Sequence, residues 1–133
     1  MISWFERHNR ISWIIVFVIA ITIFYVSSLT FEQVPRAFRI NWKTIAYHFG
    51  IYLFLSFFIN ISLVKGRVNN IALVLPATLG AIVYGLFDEI HQLFVQGRAC
   101  TFSDWMIDSG GALLACFVYL LWVRVRRETN KYF

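Results

Sequence analysis

Charge is scarce in this chain. Only 14% of its 133 residues are Asp, Glu, Lys or Arg, against about 25% in an ordinary soluble domain. Acids are scarcer still, seven in all, while 59% of the residues are hydrophobic and 19% aromatic. A water-soluble fold of this length has no means of hiding so much apolar surface, and that class is excluded. Two cysteines are too few for a disulfide framework or a cysteine-based zinc site. Cys100 falls in a loop and Cys116 near the middle of an apolar run, roughly 18 Å along a helix at 1.5 Å per residue, so no disulfide is expected. Repeats, linkers and low-complexity stretches are also missing.

What is there is long apolar runs. Four spans are read at about 11–29, 45–64, 70–94 and 104–123, and four membrane helices of roughly 20 residues use about 80 positions. The remainder suffices for termini and three loops, so 1–133 reads as a single all-α transmembrane four-helix bundle. The first run resembles a signal-peptide core but is too long and lacks an A-x-A cleavage pattern, so it reads as an uncleaved helix. Trp105 and Trp122 bracket the fourth run as interfacial anchors. Twelve Lys and Arg give a net charge of +5, yet they cluster between the apolar runs, which is membrane topology and argues against nucleic-acid binding. Eight of them (Arg7, Arg10, Lys65, Arg67, Arg124, Arg126, Arg127 and Lys131) lie on one side and four (Arg36, Arg39, Lys43 and Arg98) on the other. That bias places both termini in the cytoplasm, with the C-terminal arginines and Lys131 as a stop-transfer flank.

The first outer loop has its own pattern. At 100° per residue, Phe31, Val34, Phe38 and Trp42 share one face while Arg36, Arg39 and Lys43 share the other, and Pro35 fits a first turn. This predicts a short interfacial helix. It serves either as an amphipathic connector or as a basic surface toward phosphate-bearing lipids or acidic wall polymers.

A charge in hydrocarbon costs at least about 2.5–3.5 kcal/mol, so ionisable residues at span ends need a reason. Five of the seven acids fall on the outer side of this topology. Asp88-Glu89-Ile90-His91-Gln92 closes the third span, Asp104 and Asp108 open the fourth, His48 opens the second, and Arg98 lies in the short loop between. Tyr84, Asp88, His91 and Gln92 share a helical face that Gly80 continues inward, while Asp104, Asp108, Gly111 and Ala115 form a stripe suited to close helix packing. Tyr52 lies one turn from His48. Pro76 inside the third helix is expected to kink it and open a polar cleft.

Several chemistries fit. Crowded carboxylates raise one another's pKa, so one serves as an acid while another, paired with Arg98 or a histidine, stays ionised. The same oxygens and imidazole nitrogens suit a divalent cation, and Arg98 suits a phosphate or carboxylate. No spacing matches a zinc or P-loop signature, so no metal ligands are assigned and the cofactor is left open. The plain alternative is a hydrogen-bonded network that only fixes the helices, with Asp104, alone or with Ser103, capping the fourth.

The run from Tyr84 to Arg98, followed by Asp104 and Asp108-Ser109-Gly110-Gly111-Ala112, closely resembles the VanZ-like membrane proteins. The end of the first span, Phe24-Tyr25-Val26-Ser27-Ser28, and His48-Phe49-Gly50-Ile51-Tyr52 resemble that family's pattern as well. The chain departs from it at Thr44 and Ile45, where family members often carry charged residues. The resemblance implies a multi-pass protein of the bacterial plasma membrane, with a namesake that lowers susceptibility to teicoplanin; it supplies no mechanism.

The resulting expectation is an outward-facing site acting on a lipid-linked or cell-wall-related substrate. His48, Asp88, Glu89, His91 and Asp104 take catalytic roles, with His48 or His91 transferring a proton, while Gln92, Arg98 and Asp108 bind substrate. The expected partners are membrane lipids and a lipid-linked wall precursor. A non-catalytic binder of a lipid headgroup, wall precursor or antibiotic is the alternative, and whether the protein is an enzyme stays open.

Overall fold

The computed structural model describes residues 2–30, 42–65, 67–98 and 100–129. A short helix α1 (Ile2–Arg7) leads into α2 (Asn9–Ser27), followed by α3 (Trp42–Val64), a 3-10 segment (Val68–Leu73), α4 (Val74–Gln92) and α5 (Phe102–Thr129). No strand occurs among the described residues. Four helices are long and apolar enough to cross a membrane, which makes this an all-α four-span bundle. Phe31 to Asn41, the core of the expected interfacial helix, lie outside the described residues, as does Lys131. Trp42 and Lys43, assigned to that helix, instead form the first turn of α3.

The burial pattern is that of a protein solvated by lipid. Phe17, Ile21, Phe54, Leu75, Phe87, Phe117 and Val125 point outward, while Ser12, Ser56, Asn60, Thr78, Asp108 and Ala112 are buried. Lipid tails are as apolar as leucine, so small and polar residues share the interior with the buried Tyr52, Leu55, Ile61 and Tyr119 and let the helices approach closely. The tightest seam joins α3 and α5. A Cβ at Gly111 would run into the carbonyl oxygen of Phe49, and the Ser56 hydroxyl donates across the seam to the Ala112 carbonyl at 3.1 Å. On α4 the residues packed inward at the first-turn end are Ala77 and Ala81, leading to Gly85, Asp88 and Gln92. Gly80, expected to continue this stripe, is exposed with open space around it. The reason is rotational, since a 3.6-residue period carries the line from Gly85 to Ala81.

Pro76 does not kink a helix interior. It is the third residue of α4, in the first turn, where its missing N–H is one of the donors a helix leaves unpaired anyway. It also lies at the opposite end of α4 from the acidic motif.

At the end of the bundle that holds the termini, α1 folds back and inserts Glu6. The Tyr119 hydroxyl donates to Glu6 Oε1 at 3.0 Å, and Arg126 Nη1 donates to Oε2 at 2.7 Å while its guanidinium covers the Trp122 ring. Arg126 therefore does more than flank a membrane span. Arg124 keeps the expected solvent-exposed character, facing Glu128 at 3.6 Å across the helix surface.

Candidate functional site

The polar residues at the opposite end of the bundle come from three helices with different directions. His48 sits six residues into α3, Asp108 six residues into α5, and Asp88 and Glu89 in the last turns of α4. Each helix therefore delivers its group roughly 5–9 Å inside its own end, at 1.5 Å per residue. Close approach is possible because the seams are lined by small residues. Gly85 on α4 faces both the Tyr52 ring and the Cβ of Asp108, and Gly111 lets α5 touch the backbone of α3.

Two connected features result. The first is a buried triad: His48 Nδ1 is 3.0 Å from Asp108 Oδ1, and ligand-type atoms of His48, Glu89 and Asp108 lie within 4.8 Å of one another. Glu89 is 1% exposed and Asp108 fully buried. Glu89 Oε2 accepts the backbone N–H of Thr101 at 2.9 Å. Glu89 Oε1 and Asp108 Oδ2 have no hydrogen-bond partner among the described residues.

The second feature is a cleft between α2, α3 and α4, walled by Ser27, His48, Tyr52, Asp88, Gln92 and Arg98, with a cavity volume of about 20 Å³. That is room for a water-sized occupant. Gln92 Nε2 donates to Asp88 Oδ2 at 3.1 Å. Asp88 Oδ1 and the Tyr52 hydroxyl are buried with no partner among the described residues. His48 belongs to both the triad and the cleft wall.

Arg98 reaches the cleft through the turn at Gly97, whose φ of 81° is the left-handed conformation that glycine takes without steric cost. Its Nη2 and Nε donate to the carbonyls of Val26 and Leu29 at 2.6 and 3.2 Å. The guanidinium thus satisfies acceptors that the end of α2 leaves open, and this anchors the α4–α5 loop to the first span.

The expected residues are not all together. His48, Glu89 and Asp108 meet in the triad, and His48, Asp88, Gln92 and Arg98 line the cleft. His91 faces a different neighbour: its Nε2 lies 3.0 Å from the Ser28 hydroxyl and its ring packs on Phe24. One residue beyond Ile90, it follows the outer turn of α4 toward α2. Asp104 is half-buried in the first turn of α5, and neither it nor Ser103 caps that helix. Thr101 does, its hydroxyl accepting the Asp104 N–H at 3.3 Å. In a capping box the residue at N3 would accept the cap's own N–H; here Glu89 of the preceding helix takes that role. Trp105, expected as an interfacial anchor, donates its indole N–H to the Ile82 carbonyl at 3.1 Å and so ties α5 to α4.

Ser27 and Tyr47 enter the cleft wall without having been singled out as site residues, and Tyr52 enters as more than a neighbour of His48. The i, i+4 spacing of His48 and Tyr52 was the available signal for the latter. Ser27 continues the buried line of Ser12, Val16 and Ile23 on α2, and only the packing of α2 shows which side of this mostly apolar helix faces in.

No curated protein and no solved structure matches this chain. The VanZ/LLP1 family model matches residues 10–123, a stretch that takes in most of all four spans and every residue of the triad and the cleft; this multi-pass membrane protein therefore belongs to the VanZ/LLP1 family.

Proposed function

We propose that this protein works in the bacterial plasma membrane with both termini in the cytoplasm, and that its triad and cleft form an outward-facing site for a lipid-linked or cell-wall-related anionic substrate. The observation that carries the reading is that His48, Glu89 and Asp108, from three separate helices, meet in one buried group that shares His48 with a cleft bordered by Arg98. A network serving only to join helices needs fewer carboxylates. His48 carries the proton and Asp108 orients it, as their 3.0 Å contact allows. Asp88 and Gln92 hold the polar end of the substrate, while Arg98 places the loop that covers it. The pairing of His48 with a carboxylate suits proton transfer at the imidazole. A role in reduced susceptibility to teicoplanin-type lipoglycopeptides follows from the family resemblance.

The test replaces Asp88→Asn, Glu89→Gln and Asp104→Asn together, which keeps size and removes charge. Cells with the wild-type and triple-variant proteins, at matched protein levels, are compared for envelope lipid and wall-precursor profiles and for teicoplanin susceptibility. The expected result is loss of the wild-type profile. An unchanged profile and susceptibility would overturn the site. Loss of the profile with ligand affinity retained in the purified variant identifies catalysis; loss of both identifies a binding protein.

A further inference from the structure

The triad poses a problem of charge. Two carboxylates, from Glu89 and Asp108, are almost wholly buried within 4.8 Å of each other and of one imidazole. The ion pair of Asp108 is with His48, and no Lys or Arg stands within salt-bridge distance of either acid among the described residues. One oxygen of each acid is buried without a hydrogen-bond partner there. Leaving such oxygens unmatched in a low-dielectric interior is costly. A buried, unpartnered carboxylate oxygen on two different helices, both beside the same imidazole, is what a cation would satisfy.

We propose that His48, Glu89 and Asp108 are the three protein ligands of a divalent transition-metal site of zinc type, with the remaining position turned over to water or substrate. Three protein ligands with a further position open is the ligand count of zinc sites that retain an exchangeable position, and the imidazole among them favours zinc over magnesium. Ligand atoms on a common zinc ion stand roughly 3.3–3.6 Å apart, from bond lengths of about 2.0–2.2 Å at a tetrahedral angle. The His48–Asp108 contact of 3.0 Å is close to this, and Glu89 needs a side-chain adjustment on the order of 1 Å. Glu89 is held through Oε2 by Thr101, which orients the carboxylate from outside the ligand set as such sites require. Metal entry displaces the proton that His48 and Asp108 share, so His48 acts as a ligand in the metal-loaded state and as the proton carrier only in the metal-free one.

Because His48 also forms part of the cleft wall, the ion borders the space between Asp88, Gln92 and Arg98. The cation would there hold an anionic oxygen group such as a phosphate. This last step rests on the function proposed above; the metal site itself does not.

The test uses the full chain purified in detergent, stripped with a chelator and titrated with Zn²⁺, Mn²⁺ and Mg²⁺, with metal content measured after dialysis. All proteins carry Cys100→Ser, because an exposed thiol binds zinc on its own account. The expected result is about one Zn²⁺ per chain, bound more tightly than Mg²⁺. Glu89→Gln and Asp108→Asn should each weaken zinc binding by at least about tenfold, and His8→Ala, at the other end of the bundle, should leave it unchanged. Should the triad variants fail to fold, X-ray absorption on the zinc-loaded parent protein still decides the matter. One imidazole with oxygen ligands is expected. A sulfur ligand, a ratio well below one zinc per chain, or preference for Mg²⁺ overturns the site. Zinc bound with no change in Glu89→Gln cells would leave the metal site standing and overturn the cell-envelope reading; the reverse pattern would do the opposite.

Discussion

At the scale of single residues, the instructive cases are buried charges whose partners come from elsewhere in the chain. Glu6 is inserted into the bundle by α1 and met by Tyr119 and Arg126. Burial pushes its carboxyl above the ordinary value, and the contacts from Tyr119 and Arg126 pull against that without reversing it. A carboxyl whose folded pKa is raised contributes stability that is complete below its unfolded value and is lost as pH rises through the folded value. The melting temperature of wild type minus that of Glu6→Gln should therefore fall between pH 4 and pH 7. A difference that grows with pH would mean that attraction to Arg126 outweighs burial. Cys100 is a contrasting case, an exposed thiol that feels acids from other parts of the chain. Its thiol is pushed up by desolvation and by the nearby Glu89 and Asp104 charges. Alkylation of Cys100 should accordingly be slower at pH 7 than that of a model thiol and should continue to accelerate above pH 8, followed as adduct mass against time; a rate already at its plateau at pH 7 would contradict this.

The elements depend on two contacts, one steric and one polar. Gly111 has no room for a Cβ against the Phe49 carbonyl, whereas a Cβ at neighbouring Gly110 would make only ordinary contact with the Phe49 ring. Gly111→Ala should therefore cost about 1–3 kcal/mol through forced separation of α3 and α5, with Gly110→Ala nearly neutral; thermal unfolding in detergent compares them. Equal effects at the two positions would refute the steric account. The polar contact is the Arg98 strap. Arg98→Ala removes charge-assisted bonds to Val26 and Leu29 and should cost about 1–3 kcal/mol, and Arg98→Lys should restore only part because one ammonium does not reproduce the planar fork. Of the stripe Asp104, Asp108, Gly111 and Ala115 read from the sequence, the last three are buried, while Asp104 stays half-buried at the start of α5. The face of α4 was half legible: Asp88 and Gln92 turn inward, but His91 follows the helix around to α2. Spacing of three or four residues covers an arc of a helix, and whether the edge of that arc meets one neighbour or another depends on where the neighbours stand.

For the molecule as a whole, α3 packs most extensively, against α2, α4 and α5, and the triad and the cleft share its His48. The Glu6–Arg126 contact brings the two ends of the chain to the same end of the bundle, as an even number of spans requires. In the proposed topology, with that end in the cytoplasm, the prediction is that Cys100, in the loop at the opposite end, reacts with a membrane-impermeant maleimide added to intact cells. Protection of Cys100 until the cells are opened would invert the topology.

Composition and run length by themselves determined the solvent and the four spans: apolar runs of about 20 residues, separated by short charged turns, cross lipid as helices because a helix pairs its own backbone polar groups. They also marked the acids at span ends as the scarce and costly groups. Which of those groups meet was decided only by tertiary structure. His48 and Asp108 are sixty residues apart and become neighbours because Gly111 lets two backbones touch, Thr101 displaces Asp104 as the cap because Glu89 is there to take its N–H, and Arg98 is turned to α2 by the conformation of Gly97. Such outcomes follow from distances between helices, and distances between helices are set by the small residues along their seams, a quantity that no window along the chain contains.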